Sequence, residues 1–184
     1  IGESCVVIGM GLIGQLTYKL IEAAGGHPIG VDISKQQIDS VKKNGFKNIF
    51  KRDSNELINF INSISQGHGV DSVIITAATN SLDPVNFAGE ISRKKGKVVI
   101  VGAVPTGFHR ENFYKKELNL IMSSSYGPGR YDVNYEQKGQ DYPIGYVRWT
   151  ENRNMKSFID LVNDGRLDIS NLIKEQQTLT GASE

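Results

Sequence analysis

The 184-residue chain is predicted to be an α/β protein, a doubly wound parallel sheet of about six strands with helices on both faces. Three observations carry that prediction. Short apolar runs rich in β-branched residues alternate with stretches whose apolar residues recur every three or four positions, the pattern of strands joined by crossover helices. Glycine accounts for 20 of 184 residues, about 11% against a usual ~7%, and the glycines fall at the ends of the apolar runs, where tight turns or close backbone approach are needed. A Gly-x-Gly-x-x-Gly stretch stands between the first apolar run and the first helical pattern.

Residues 4–8 read as the first strand, and Ile13, Leu16, Thr17, Leu20, Ile21 and Ala24 form the face of a helix ended by Gly25-Gly26. Residues 28–32 are a second strand. Ser34 is expected to cap a helix to about Asn44, with Ile38 and Val41 inward and Gly45 as its stop, before a brief third strand at 48–50. A helix bearing Leu57, Phe60, Ile61 and Ile64 follows. The β-branched runs 70–77 and 97–101 are the fourth and fifth strands, both expected to be buried on two faces and separated by a weaker helix at 84–92. Residues 118–122 form the sixth strand, whose edge could pair across a homodimer. The closing helix, 151–165, carries Met155, Phe158, Ile159 and Val162. Between them, 123–150 lacks a periodic apolar face and holds five of the seven tyrosines, so a long loop is expected there, functional, partner-covered or disordered.

A chain of this size supports one compact domain, taken to span 1–184. The net charge of +1 argues against a nucleic-acid or anionic-membrane partner. The apolar runs fall far short of the ~20 residues that cross a bilayer, so a soluble, cytoplasmic protein is expected. The chain opens at Ile1 rather than Met, and its natural start is expected to lie elsewhere. Cys5 is the single cysteine and lies in the first strand, where a buried thiol is expected. His27 and His68, read as loop residues, and His109, read as exposed after the fifth strand, form no metal-ligand spacing with it.

The glycine stretch supplies a mechanism. Gly9 permits the tight turn, Gly11 lets backbone approach a pyrophosphate, and Gly14 allows close packing of helix on strand. The helix start at Leu12 and Ile13 then offers free N–H groups and a partial positive charge to phosphates. Asp32, 18 residues beyond Gly14, ends the second strand, where a carboxylate accepts hydrogen bonds from adenosine ribose hydroxyls. Such an acid repels a 2′-phosphate and favours NAD over NADP, while Lys35, two residues past Ile33, pulls the other way. Ligands of open parallel sheets sit beyond the carboxyl ends of the strands. Ala78 and Thr79 after the fourth strand, and Gly102, Ala103 and Val104 after the fifth, are therefore expected to rim the same cleft. The bland alternatives are plain strand–helix turns and an exposed strand-end acid. Their occurrence together, in register, favours the nucleotide site.

The series Val7-Ile8-Gly9-Met10-Gly11-Leu12-Ile13-Gly14, Val31-Asp32, Gly69-Val70-Asp71-Ser72-Val73-Ile74 and Gly96 to Gly102, with Lys116-Glu117-Leu118, resembles the Rossmann domain of zinc-type medium-chain dehydrogenases over about residues 4–175. The resemblance implies an NAD-binding domain with Asp32 on the adenosine ribose and main chain near Ala78, Gly102 and Val104 on the nicotinamide side. It also implies a parent oxidoreductase acting on a small alcohol or sugar, with catalytic zinc held by a separate barrel-like domain that these residues do not contain. Gln37 stands where many members carry a second ribose-binding Lys or Arg, which implies weaker binding of the adenosine half. Residues 125–132 and 142–155 resemble a segment of bacterial oxidoreductases fused to a glucose-fructose-oxidoreductase-like half. There Arg130, Arg148, Arg153 and the aromatics would contact a sugar or pack on another domain. Two rivals remain open from sequence: a regulatory NAD-sensing module of the potassium-transport type, and an S-adenosylmethionine-dependent methyltransferase, which also places an acid at the end of its second strand.

Overall fold

The computed structural model describes residues 1–172. Within them the chain runs β1 (Ser4–Ile8), α1 (Leu12–Ala23), β2 (His27–Asp32), α2 (Lys35–Lys43), β3 (Ile49–Lys51), α3 (Asn55–Ser65), β4 (Val70–Ile75), α4 (Asp83–Ile91), β5 (Ser92–Ile100), α5 (Arg110–Lys115), β6 (Asn119–Met122), α6 (Val133–Glu136) and α7 (Glu151–Asn163). The strands form one sheet in the order β3-β2-β1-β4-β5-β6, parallel throughout. The direction of winding reverses between β1 and β4. Chain leaves these two strands toward opposite faces, and a crevice opens at their carboxyl ends.

Strand side chains alternate between faces, and two core layers follow. Val6, Ile8, Val31, Val73, Ile75, Val98 and Ile100 face Leu57 and Ile61 of α3, Val85, Phe87, Ala88 and Ile91 of α4, and Phe113 of α5. On the other face Val7, Met10 and Ile49 meet Tyr18 of α1, Ile38 and Val41 of α2, and Phe46. Full burial of each such side chain contributes roughly 1.5–3 kcal/mol before entropy is counted. Ser34 and Ser54 cap α2 and α3 by accepting from the backbone N–H of Gln37 and Leu57 at 3.2 and 3.3 Å. Gly45 takes φ +85° after α2, as its expected role as a stop requires. At the amino ends of the strands, the Asp71 carboxylate accepts from Ser4 N–H at 2.8 Å and from Arg93 Nε at 2.7 Å, tying β1, β4 and β5 together.

Several expectations need correction. The buried residues of α1 are Gly14, Gln15 and Tyr18, rotated from the face drawn from Ile13, Leu16, Thr17, Leu20, Ile21 and Ala24. Contact at Gly14 and the polar anchors of its neighbours set that rotation: Gln15 Nε2 donates to Met10 O at 3.0 Å and the Tyr18 hydroxyl donates to Lys47 O. β4 stops at Ile75 instead of 77, because Thr76 and Ala77 both donate their N–H groups to Ile8 O and turn the chain across β1. β5 starts at Ser92, directly after α4. Neither strand is buried on both faces: Val73, Ile75, Val98 and Ile100 are buried, while Ile74 and Val99 on the opposite face are only half-buried. His27 opens β2 instead of lying in a loop. Cys5 is buried as expected, and burial pushes its thiol up to about 11. The stretch 123–150 is mostly turns but contains α6, and α7 buries none of its residues within the described part.

Candidate functional site

The site grows out of the turn between β1 and α1. Gly9 has φ +97°, and its N–H donates to Val31 O at 2.8 Å, which holds the turn against β2. A Cβ there would lie 2.8 Å from the Ala77 nitrogen. A Cβ on Gly14 would lie 1.8 Å from Gly9 O, so α1 can start this close to β1 only with glycine in its first turn. Gly11 differs: a Cβ on it would meet no atom of the described residues within 4 Å. Backbone there faces open space, and Gly11 caps α1 with no side chain on the first-turn N–H groups. Those groups remain available to an anion.

Asp32 at the end of β2 is fixed by two main-chain donors. Met10 N–H reaches Oδ2 and Ser34 N–H reaches Oδ1, each at 2.8 Å. One acceptor site remains on each carboxylate oxygen, enough for two adjacent ribose hydroxyls. Met10 O accepts from the side-chain amides of both Gln15 and Gln37. Gln37 thus braces the glycine turn, a role its place in the sequence did not suggest.

Across the crevice, Thr76 Oγ1 lies 2.7 Å from Gly9 O and serves as its donor. A Cβ on Gly102 would lie 2.0 Å from Ala77 O, and Thr79 N–H donates to Ala103 O at 2.9 Å, so the loops after β4 and β5 are packed as a pair. The resulting cleft has a volume of about 460 Å³, within the range of small-molecule sites.

Of the residues expected at the site, Gly9, Gly11, Asp32, Ile33, Ala78 and Thr79 line this cleft. Gly14 and Gly102 stand behind it as close-packing residues. Leu12 and Ile13 are exposed at the start of α1, at 60% and 52%. Lys35 is exposed at the start of α2, Ala103 is exposed, and Val104 is half-buried against the larger core layer. None of these seven lines the cleft. Sequence reasoning missed Arg52, Thr76, Ser81, Asp83 and Pro84, which do. Thr76 had a signal in its place at the end of the fourth strand. Arg52 had only a weak one, directly after the third.

Arg130 is paired with Glu136, and Arg153 with Asp141, Tyr142 O and Val147 O, so their guanidinium groups hold 123–150 together. Arg148 lies 4.0 Å from the Trp149 ring. His109 is exposed at the start of α5. Among the described residues, no group of three or more His, Cys, Asp or Glu is placed to hold a metal, so zinc does not fit these side chains. No helix among them is long and apolar enough to cross a membrane.

The model of a protein family described as zinc-binding dehydrogenase matches residues 13–137. An NAD-dependent alcohol dehydrogenase of Sulfurisphaera tokodaii is 30% identical over 102 residues, which cover 54% of this chain and 29% of the relative. A D-arabitol-phosphate dehydrogenase of Enterococcus avium is 24% identical over 183 residues, covering 97% of this chain and 45% of the relative. The chain therefore spans less than half the length of these curated relatives. A Sinorhizobium meliloti structure, assigned as a zinc-binding dehydrogenase and bound to NADP, superposes with a TM-score of 0.64 at 19% identity, covering 94% of this chain and 45% of that one. That likeness is one of fold. The family match and the two relatives do not support the regulatory-module reading. With more than half of its residues matched, this chain belongs to the zinc-binding dehydrogenase family.

Proposed function

We propose that residues 1–184 act as the dinucleotide-binding domain of a larger dehydrogenase, holding NAD in the cleft over β1, β2 and β4 and presenting its nicotinamide to an alcohol or sugar hydroxyl. The observation that carries this reading is the pairing of an open Gly11 at an uncapped α1 start with a fixed Asp32 in the same cleft. Gly11 and the α1 N–H groups receive the pyrophosphate, because none of the described side chains covers that backbone. Asp32 receives the adenosine ribose and, being anionic, disfavours a 2′-phosphate, which selects NAD over NADP. Ala78 and Thr79 guide the chain of the cofactor past β4, and the β5 loop at Ala103 and Val104 borders the nicotinamide. NAD itself supplies the hydride acceptor.

Zinc and proton transfer belong to the remainder of the parent protein in this reading. The 184-residue chain alone is expected to bind cofactor without turning over an alcohol, and β6, with Ile121 and Met122 exposed, is the proposed edge for pairing with a second copy. Parallel fluorescence titrations with NADH, NADPH and S-adenosylmethionine test the proposal. Saturable NADH binding, weaker NADPH binding and none for S-adenosylmethionine are expected. Absence of NADH binding, or zinc-dependent alcohol oxidation by this chain alone, overturns it.

A further inference from the structure

We propose that Arg52 is the adenine platform of this site, its guanidinium plane held flat by Asp83 and Phe87 so that the purine lies against the free face. This rests on reading the cleft as a dinucleotide site. Arg52 follows β3, and its N–H donates to Asp32 O at 2.9 Å, so its backbone stands directly beside the proposed ribose acceptor. Its side chain reaches the start of α4. There Nε donates to Asp83 Oδ2 at 2.9 Å and Nη2 to Oδ1 at 2.8 Å, a two-pronged pair that fixes the orientation of the plane. The guanidinium carbon lies 3.5 Å from the centre of the Phe87 ring, which is 1% exposed. One face of the guanidinium is thus covered by Phe87. Arg52 also lines the cleft, so the opposite face is the one available to a ligand.

The base of a nucleotide is one glycosidic bond from its ribose. With the ribose on Asp32, the adenine must fall on one of the surfaces flanking that residue, and the cleft offers two: Ile33, 76% exposed, and the Arg52 plane. An apolar side chain and a planar guanidinium that line one cleft are suited to the two faces of a flat ring. Asp83 compensates the charge of Arg52, so the plane offers a surface rather than a free cation for a phosphate. Since the plane is already immobilised, little further ordering is needed when the ring arrives.

The test compares wild type, Arg52→Lys and Arg52→Ala of the full 184-residue chain by titration with NADH and with reduced nicotinamide mononucleotide, which lacks the adenosine half. Both variants are expected to bind NADH about tenfold more weakly, with mononucleotide binding unchanged. Arg52→Lys keeps the charge and the partner for Asp83 but not the plane, and it decides the matter if the alanine variant does not fold. Wild-type NADH affinity in Arg52→Lys, or equal loss for both ligands, overturns the platform role. Failure of the wild-type chain to bind NADH overturns the dinucleotide reading beneath it.

Discussion

Residues 1–122 and 123–172 follow one another in a single chain but are held by different forces. In the first, parallel strands give every helix a surface to cover, and side chains such as Val6, Leu57, Val73 and Phe87 disappear from solvent. In the second, polar links dominate: Arg130 with Glu136, Arg153 with Asp141, the Tyr142 hydroxyl with Asp132, and the Tyr135 hydroxyl with Thr150. Meanwhile Tyr146, Trp149, Met155 and Ile159 stay exposed. A sheet organises its neighbours by area, whereas the second region is organised by a few charged and hydroxyl contacts. The two are expected to respond differently to substitution and to acid.

The sharpest break is expected inside the first region. Gly14→Ala forces a methyl to within 1.8 Å of Gly9 O and is expected to cost about 3 kcal/mol in urea unfolding followed by circular dichroism. Gly11→Ala, three residues earlier, meets nothing among the described residues and is expected to cost no more than about 1 kcal/mol, the ordinary difference between glycine and alanine at a helix N-cap. Its effect should appear as weaker NADH binding, because the methyl would occupy the proposed phosphate approach. Equal destabilisation by the two would show that glycine is required throughout the turn for conformation alone.

Arg153→Ala removes contacts to Asp141, Tyr142 O and Val147 O at once. It is expected to speed proteolytic cleavage between residues 126 and 150 and to red-shift the emission of Trp149, the single tryptophan. The far-UV unfolding midpoint of the core should hardly move. A full loss of cooperative unfolding would show instead that the two regions are one unit.

The smallest effect is that of pH. A hydrogen bond from Tyr142 holds Asp132 below the ordinary carboxylate value, and one from Arg130 does the same for Glu136. A depressed carboxyl contributes stability above its unfolded value and loses it as pH falls through the lower folded value. On acidification the Trp149 signal is therefore expected to change before the far-UV signal of the core. Burial pushes Asp71 upward, but hydrogen bonds from Arg93 and Ser4 outweigh it and leave its carboxyl below the ordinary value, so the amino ends of β1, β4 and β5 loosen in acid too. The buried apolar layers should delay that loss. Simultaneous transitions would contradict the distinction.

The contrast also explains what could be read from residues alone. Ser34, Gly45, Ile38 and Val41 act locally, within one helix and its ends, and behave as their spacing predicts. The turn from Gly9 to Gly14 and the acid at Asp32 were legible because their separations are set by one strand–helix–strand unit. The buried face of α1 was not, because contact at Gly14 and polar anchoring of Gln15 and Tyr18 outrank hydrophobic spacing there. Arg52 and Asp83 stand 31 residues apart and meet only when β3 and α4 are placed by the sheet. The exchange of bonds within 123–150 has no period to read.

The central claim, that Asp32 and the glycine turn hold a dinucleotide, is tested most directly by titrating NADH into the wild-type chain and Asp32→Ala under matched conditions. Loss of the two proposed ribose bonds is expected to weaken NADH about tenfold or more, and to reduce the proposed preference over NADPH. Unchanged NADH affinity in Asp32→Ala would contradict the account.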